Sequence, residues 1–283
     1  MTAVIEGVYA FILGAVMGSF LNVCVSRWPA GLSVVSPRSR CPNCGHAITA
    51  IENVPILSWV FLRARCRGCG GTISIQYPLV ELATGVLWLW AFLHFGADFS
   101  ALRVAVFGTI MLGIALTDAE HFLIPDGFTV SGLIWVLLSV FIGAFFREQG
   151  PFAGPWHAII GMCAGAGAIA IVGWLGEVAL NRPAMGFGDT TMMAVVGGAV
   201  GAERALLTLF VASAIAPIVL LGIVYPLTRK REEGGQMDLA LADGSGWRRK
   251  ELPFGVFLAP SAFVCLVYGQ EMINWYLRIS GLK

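Results

Sequence analysis

HAIIGMCAGAGAIAIVGWLGEVAL, residues 157–180, carries one charged side chain, Glu177, in 24 residues. At a rise of about 1.5 Å per residue it covers roughly 36 Å, more than the ~30 Å hydrocarbon core of a bilayer. No face of such a helix is polar, so it predicts a membrane span. The same pattern recurs on both sides of it, at Val4–Val25, Pro78–Phe95, Ala101–Thr117, Gly127–Phe146, Ala205–Leu227 and Phe254–Leu277. A further apolar run, Thr190–Gly201, reaches only about 18 Å and is a partial span. The expected fold is therefore an all-α polytopic membrane protein with about eight transmembrane helices, the sixth of them short.

Composition agrees. Of the 283 residues, 57% are hydrophobic and 12% are charged, where soluble domains average about 25% charged. Too little charge is present to coat a soluble enzyme of this size. Disorder is excluded because disordered chains are poor in apolar residues. A net charge of +1 gives no reason to expect a nucleic-acid partner. Gly14/Gly18, Gly161/Gly165 and Gly197/Gly201 are pairs of small residues four apart, which let helix backbones approach closely.

Lys and Arg set the orientation. With the N-terminus outside, thirteen of the eighteen fall on the inner loops, among them Arg38, Arg40, Arg65, Arg67 and Arg229-Lys230-Arg231. Both termini then face out. The expected organisation is a first helix at 1–25, a cytoplasmic cysteine-bearing segment at 26–77, and a seven-helix membrane domain at 78–283 with a cytoplasmic loop at 228–253. No basic residue precedes Arg27, so the first helix reads as an uncleaved span and not a secretory signal. The basic loop would be drawn to anionic membrane lipid.

Cys41-Pro-Asn-Cys44 and Cys66-Arg-Gly-Cys69 form two C-x-x-C knuckles, each followed by glycine (Gly45, Gly70). In a reducing cytoplasm disulfides rarely persist, whereas four thiolates suit tetrahedral Zn²⁺. Zn²⁺ on Cys41, Cys44, Cys66 and Cys69 is the favoured reading, with disulfides or a redox pair as competitors. Such a site is structural, because no position stays open for substrate. His46 is a possible alternative ligand or a solvated loop histidine.

Ionisable residues in the spans lie near the ends: Glu81 and Glu177 inside; Glu6, His94, His157 and Glu271 outside. The midplanes hold none, which argues against a transporter, whose coupling residues sit there. Two stretches stand at the cytoplasmic face about seventy residues apart. One is Thr117-Asp118-Ala119-Glu120-His121-Phe122-Leu123-Ile124-Pro125-Asp126; the other is Met185-Gly186-Phe187-Gly188-Asp189-Thr190. Paired aspartates suit aspartic proteolysis, one carboxylate activating water and one carboxylic acid protonating the carbonyl. Gly186 and Gly188 allow a tight backbone approach before the short helix. Asp126, following proline, is expected to cap the next helix. Helix-dipole effects alone place the shared proton on Asp118, at a helix carboxyl end, and leave Asp189, at a helix amino end, ionised.

These residues resemble a known family, the type IV prepilin peptidases, which are intramembrane aspartyl proteases with a G-x-G-D motif. Gly186-Phe187-Gly188-Asp189 matches that motif, and Asp118 with Ile124-Pro125-Asp126 resembles its other half. The resemblance covers nearly the whole chain. It includes Gly18-Ser19-Phe20-Leu21-Asn22-Val23, Pro37–Cys44, Glu52–Trp59, Tyr77-Pro78-Leu79-Val80-Glu81 and Leu252-Pro253-Phe254-Gly255. It implies a bifunctional enzyme of the bacterial inner membrane, with Asp118 and Asp189 catalytic. Such an enzyme cleaves the basic leader of type IV prepilins or type II secretion pseudopilins after a glycine. It then N-methylates the new terminus, usually phenylalanine, from S-adenosylmethionine. No residue is assigned to the methyl donor, and the sequence does not name the individual pilin or the oligomeric state.

The chain departs from the family pattern at three places. Arg63-Ala64-Arg65 stands where a glycine usually precedes the basic residue before the third cysteine, Gln76 replaces an arginine, and Val256 replaces a proline. The first two lie in the segment the resemblance ties to methylation. The competing readings are a protease without methyltransferase activity and, from another class, a membrane transporter with a zinc-ribbon docking domain.

Overall fold

The structure is a computed structural model that describes residues 2–148, 150–181, 185–220, 222 and 253–281. Its helices are α1 (Thr2–Arg27), α2 (Leu57–Phe61), α3 (Gln76–Phe95), α4 (Phe99–His121), α5 (Asp126–Phe145), α6 (Pro155–Leu180), α7 (Phe187–Val200), α8 (Ala202–Val219) and α9 (Gly255–Ile279). Among the described residues the only β pairing is two isolated antiparallel bridges, Arg40 with Ala47 and Arg65 with Thr72. Among the described residues seven helices (α1, α3, α4, α5, α6, α8 and α9) are long and apolar enough to cross a membrane. The eighth hydrophobic helix is α7, which at 14 residues is the short one. The all-α polytopic reading holds, with helix ends that differ from the expected bounds by a few residues; the end of the span expected at Ala205–Leu227 lies outside the described residues. The loop expected at 228–253 lies, but for its last residue, outside the described residues.

Packing divides the chain into two compact units, residues 1–117 with 125–151, and residues 118–124 with 152–283. In the first, α1 lies against α3. A Cβ on Gly14 would fall 2.6 Å from Trp88 Cβ, and one on Gly18 would fall 2.7 Å from the Glu81 backbone. The contact therefore demands glycine at both places. Trp88, buried beneath it, donates its indole N–H to the Thr109 hydroxyl at 2.9 Å, which satisfies a polar atom that would be costly to leave bare in an apolar interior.

In the second unit α6 lies against α7. A methyl on Gly161 would collide with the Gly197 carbonyl, one on Gly197 with the Gly161 carbonyl, and one on Gly165 with the Met193 carbonyl. Small residues thus set the helix spacing, as membrane helices require where tail lipid is as apolar as leucine. Gly201 has a second use, since at φ +84° it turns the chain between α7 and α8. Leu93, Ile134, Phe141, Trp174 and Phe210 are exposed on their helices.

One expectation is corrected. Asp126 is not the cap of α5: Pro125 holds that position in extended conformation, and Asp126 opens the helix with no side-chain capping bond. Proline's fixed φ suits that boundary, and the Asp126 carboxylate instead sits in the first turn, at the positive end of the helix.

Candidate active site and metal centre

α4 does not stop where its apolar run ends. It continues through Thr117-Asp118-Ala119-Glu120-His121, and Asp118 in that last turn is only 6% exposed. The amino end of α9 meets it: the backbone N–H of Val256 donates to Asp118 Oδ2 at 3.2 Å. A Cβ on Gly255 would fall 2.8 Å from the same oxygen, so the approach requires glycine. Asp189 is half-buried in the first turn of α7, and its N–H donates to the Gly186 carbonyl at 3.2 Å. The two carboxyl groups are near enough for the charge of Asp118 to act on Asp189.

The two stretches singled out in the sequence also touch directly. A Cβ on Gly188 would fall 2.9 Å from the Ile124 Cβ, whereas one on Gly186 would meet nothing nearer than Asp189 Oδ2 at 3.7 Å. Of the two glycines in the loop, Gly188 is the one packing demands. Glu120 and His121 pair with each other at 3.7 Å on the exposed surface. Glu177 is exposed, while Glu81 is buried. The sequence reading did not foresee the link from Asp118 to Val256; its signal was the Pro253-Phe254-Gly255 stretch at the start of the last helix.

The four cysteines of the loop segment converge, their Sγ atoms all within 4.8 Å of one another. Cys41 and Cys69 are 3.9 Å apart, and Cys44 and Cys66 are 4.0 Å apart. A tetrahedral zinc site with Zn–S of about 2.3 Å has S···S edges of about 3.8 Å, so the residues fit the metal. The knuckles are built alike. Gly45 N–H donates to Cys41 C=O at 2.9 Å and Gly70 N–H to Cys66 C=O at 2.8 Å. Gly45 and Gly70 have φ +73° and +70°, a region open to glycine without cost. Backbone N–H groups of Cys44 and Asn43 pull the Cys41 thiol down to about 6, which favours a thiolate there, while desolvation and the neighbouring sulfurs outweigh the His46 backbone hydrogen bond and push Cys44 up to about 11. His46 is turned away from this ligand role, its Nε2 lying 3.3 Å from Glu52 Oε2. The Thr49 N–H, at 2.9 Å, and His46 hold Glu52 below the usual carboxylate range.

Between this segment, the end of α1 and the start of α3 lies a cavity of about 450 Å³. Glu52, Trp59 and Thr72 line it on one side, Arg27, Tyr77 and Glu81 on the other. Glu81 is 7% exposed. It accepts the Ile56 N–H at 2.7 Å and a hydrogen bond from Ser19, with no cationic side chain at ion-pair distance among the described residues. Ile56 makes that bond from φ +62°, a rare conformation for a β-branched residue.

These features define a polytopic membrane protein with two aspartates brought near each other in one unit and a cluster of four cysteines in the other. Two family models match the chain: the bacterial peptidase A24 N-terminal domain over residues 12–95, and the type IV leader peptidase family over residues 105–221. Curated relatives include a prepilin leader peptidase/N-methyltransferase of Stutzerimonas stutzeri, 31% identical over 96% of this chain and 94% of the relative. One of Pseudomonas aeruginosa is 30% identical over 96% and 93%. One of Myxococcus xanthus is 38% identical over 67% of this chain and 55% of its own length. No solved structure matches. The chain belongs to the type IV leader peptidase family.

Proposed function

We propose that the protein removes the basic leader of type IV prepilins or type II secretion pseudopilins, and then methylates the new amino terminus. Family membership supports the substrate class; the pairing of Asp118 with Asp189 supports the chemistry and is the observation that carries it. The basic loops argue for a cytoplasmic cysteine segment, with both termini outside the bacterial inner membrane. The scissile bond then sits at the cytoplasmic interface while the pilin's apolar helix stays in lipid.

The aspartates take distinct roles. The helix-dipole effect that would protonate Asp118 is worth about 0.3–1 kcal/mol, up to about 2 when partly buried. A hydrogen bond to a charged group is worth about 1.5–3 kcal/mol. Asp118 has the backbone N–H groups of Val256 and Gly255 against the one from Gly186 at Asp189, so the difference outweighs the dipole, and Asp118 is the base with Asp189 the acid, reversing the assignment from helix ends alone. Asp118 takes a proton from water as its oxygen adds to the scissile carbonyl carbon, and Asp189 gives its proton to the carbonyl oxygen. When the C–N bond breaks, the proton on Asp118 passes to the leaving nitrogen, and the hydroxyl proton returns to Asp189. Glycine at 188 and 255 brings backbone close enough to hold both groups in place.

Cys41, Cys44, Cys66 and Cys69 would hold Zn²⁺ in a closed structural site that would tie the two knuckles together. S-adenosylmethionine, the methyl donor the family names imply, would supply an electrophilic methyl group to the freed amine. Mass spectrometry of pilin matured by the purified enzyme with this donor tests the reading. The expected product lacks its leader and carries one methyl group on its first residue. A leaderless, unmethylated product would leave the protease reading alone.

A further inference from the structure

We infer that the cavity between the knuckles, α1 and α3 is the binding site for the cationic methyl donor, with Glu81 as the carboxylate that faces the sulfonium; this rests on the methyltransferase reading above. Its volume, about 450 Å³, falls within the range of small-molecule sites, about 300–1,000 Å³. Its chemistry is specific. A carboxylate as buried as Glu81 is costly without a countercharge. The donors it has are an N–H from Ile56 and a hydroxyl from Ser19, both neutral. A positively charged ligand would supply what the protein leaves out. The other side chains suit the rest of a sulfonium nucleoside. Trp59 and Tyr77 offer rings for a purine, and Arg27 offers a fork for an amino-acid carboxylate. A lysine of a basic leader would also be attracted to Glu81, but would use neither the rings nor Arg27.

Calorimetry on the zinc-loaded, detergent-solubilised full chain tests this, comparing S-adenosylmethionine with its neutral counterpart S-adenosylhomocysteine. The wild type should bind the cation more tightly by about tenfold. Glu81→Gln keeps an acceptor for the Ile56 N–H and should erase that preference. Thr72→Trp fills the cavity and should weaken both nucleosides by about tenfold or more. Zinc content and helical circular dichroism report whether each variant has folded. Folded variants that both bind as the wild type does would overturn the assignment, as would displacement of the nucleoside by a basic leader peptide. Should the wild type methylate pilin while both variants keep its affinity, the pocket assignment alone falls. Should the wild type bind neither nucleoside and release only unmethylated pilin, the methyltransferase reading falls with it.

Discussion

Val256 donates its backbone N–H to Asp118 Oδ2 at 3.2 Å across 138 positions of sequence. The bond ties the last helix to the last turn of α4 and makes the two aspartates unequal. Asp118→Asn gives up the charged acceptor, whereas Asp189→Asn imitates a protonated acid and removes a like-charge neighbour. Thermal unfolding should therefore find Asp118→Asn the less stable of the two, by on the order of 1 kcal/mol. Should Asp189→Asn melt lower, the acid and base roles exchange.

Gly188 and Gly186 should differ although both belong to one short motif. A methyl at 188 must displace Ile124, while at 186 there is space. Gly188→Ala is expected to lower kcat by about 10²-fold or more, since small displacements of catalytic groups cost that much, and Gly186→Ala by much less. Steady-state cleavage of a prepilin measures both; equal losses would show that the packing against Ile124 does not matter.

The zinc site predicts about one metal per chain. Cys66→Ser should release it and raise hydrogen exchange across residues 39–75 while the membrane helices keep their protection. Exchange mass spectrometry with metal analysis reads both, and protein free of zinc from a reduced, chelator-free preparation would contradict the site.

Glu52 gives that segment an acid dependence of known sign. Its folded-state pKa lies below the ordinary carboxylate range, chiefly through the Thr49 N–H, so the unfolded state binds more protons there. The stability it contributes is complete above that range and is lost as pH falls through the folded value. Glu52→Gln should lower protection of residues 39–75 at neutral pH and flatten its decline in acid. An unchanged acid profile would show that Glu52 does not hold the loop.

Ala64 occupies φ +57°, where its N–H closes the turn after α2 by donating to the Trp59 carbonyl at 2.9 Å. This is the position where the resemblance in sequence leads one to expect glycine, and a side chain in that conformation costs about 1–2 kcal/mol. Ala64→Gly should therefore stabilise the segment by about 1 kcal/mol, less the extra freedom glycine gains in the unfolded chain. Hydrogen exchange at residues 57–66 checks it; faster exchange would count against the strain.

Local signals made much of this legible. Long uncharged runs marked the spans because bilayer thickness sets a length that few other structures need. Knuckle spacing foretold the four-cysteine cluster, and glycine pairs marked helix faces open to close packing, though not which helices would meet. The partners brought by distant chain were not legible: Val256 reaching Asp118, Ile56 reaching Glu81, and the buried Arg103 lying 3.9 Å from Glu148. No periodicity encodes such contacts, because each depends on where two remote backbones come to rest. Asp126 was misread for a smaller reason, since proline moved the helix boundary by one residue.

The most direct test of the central claim is intact-mass analysis of a prepilin incubated with wild type, Asp118→Asn and Asp189→Asn, each shown to be folded by its zinc content and helical signal. The account predicts full removal of the leader by the wild type and uncut prepilin with either variant, a loss of about 10²-fold or more. Cleavage near the wild-type rate by either folded variant would contradict it.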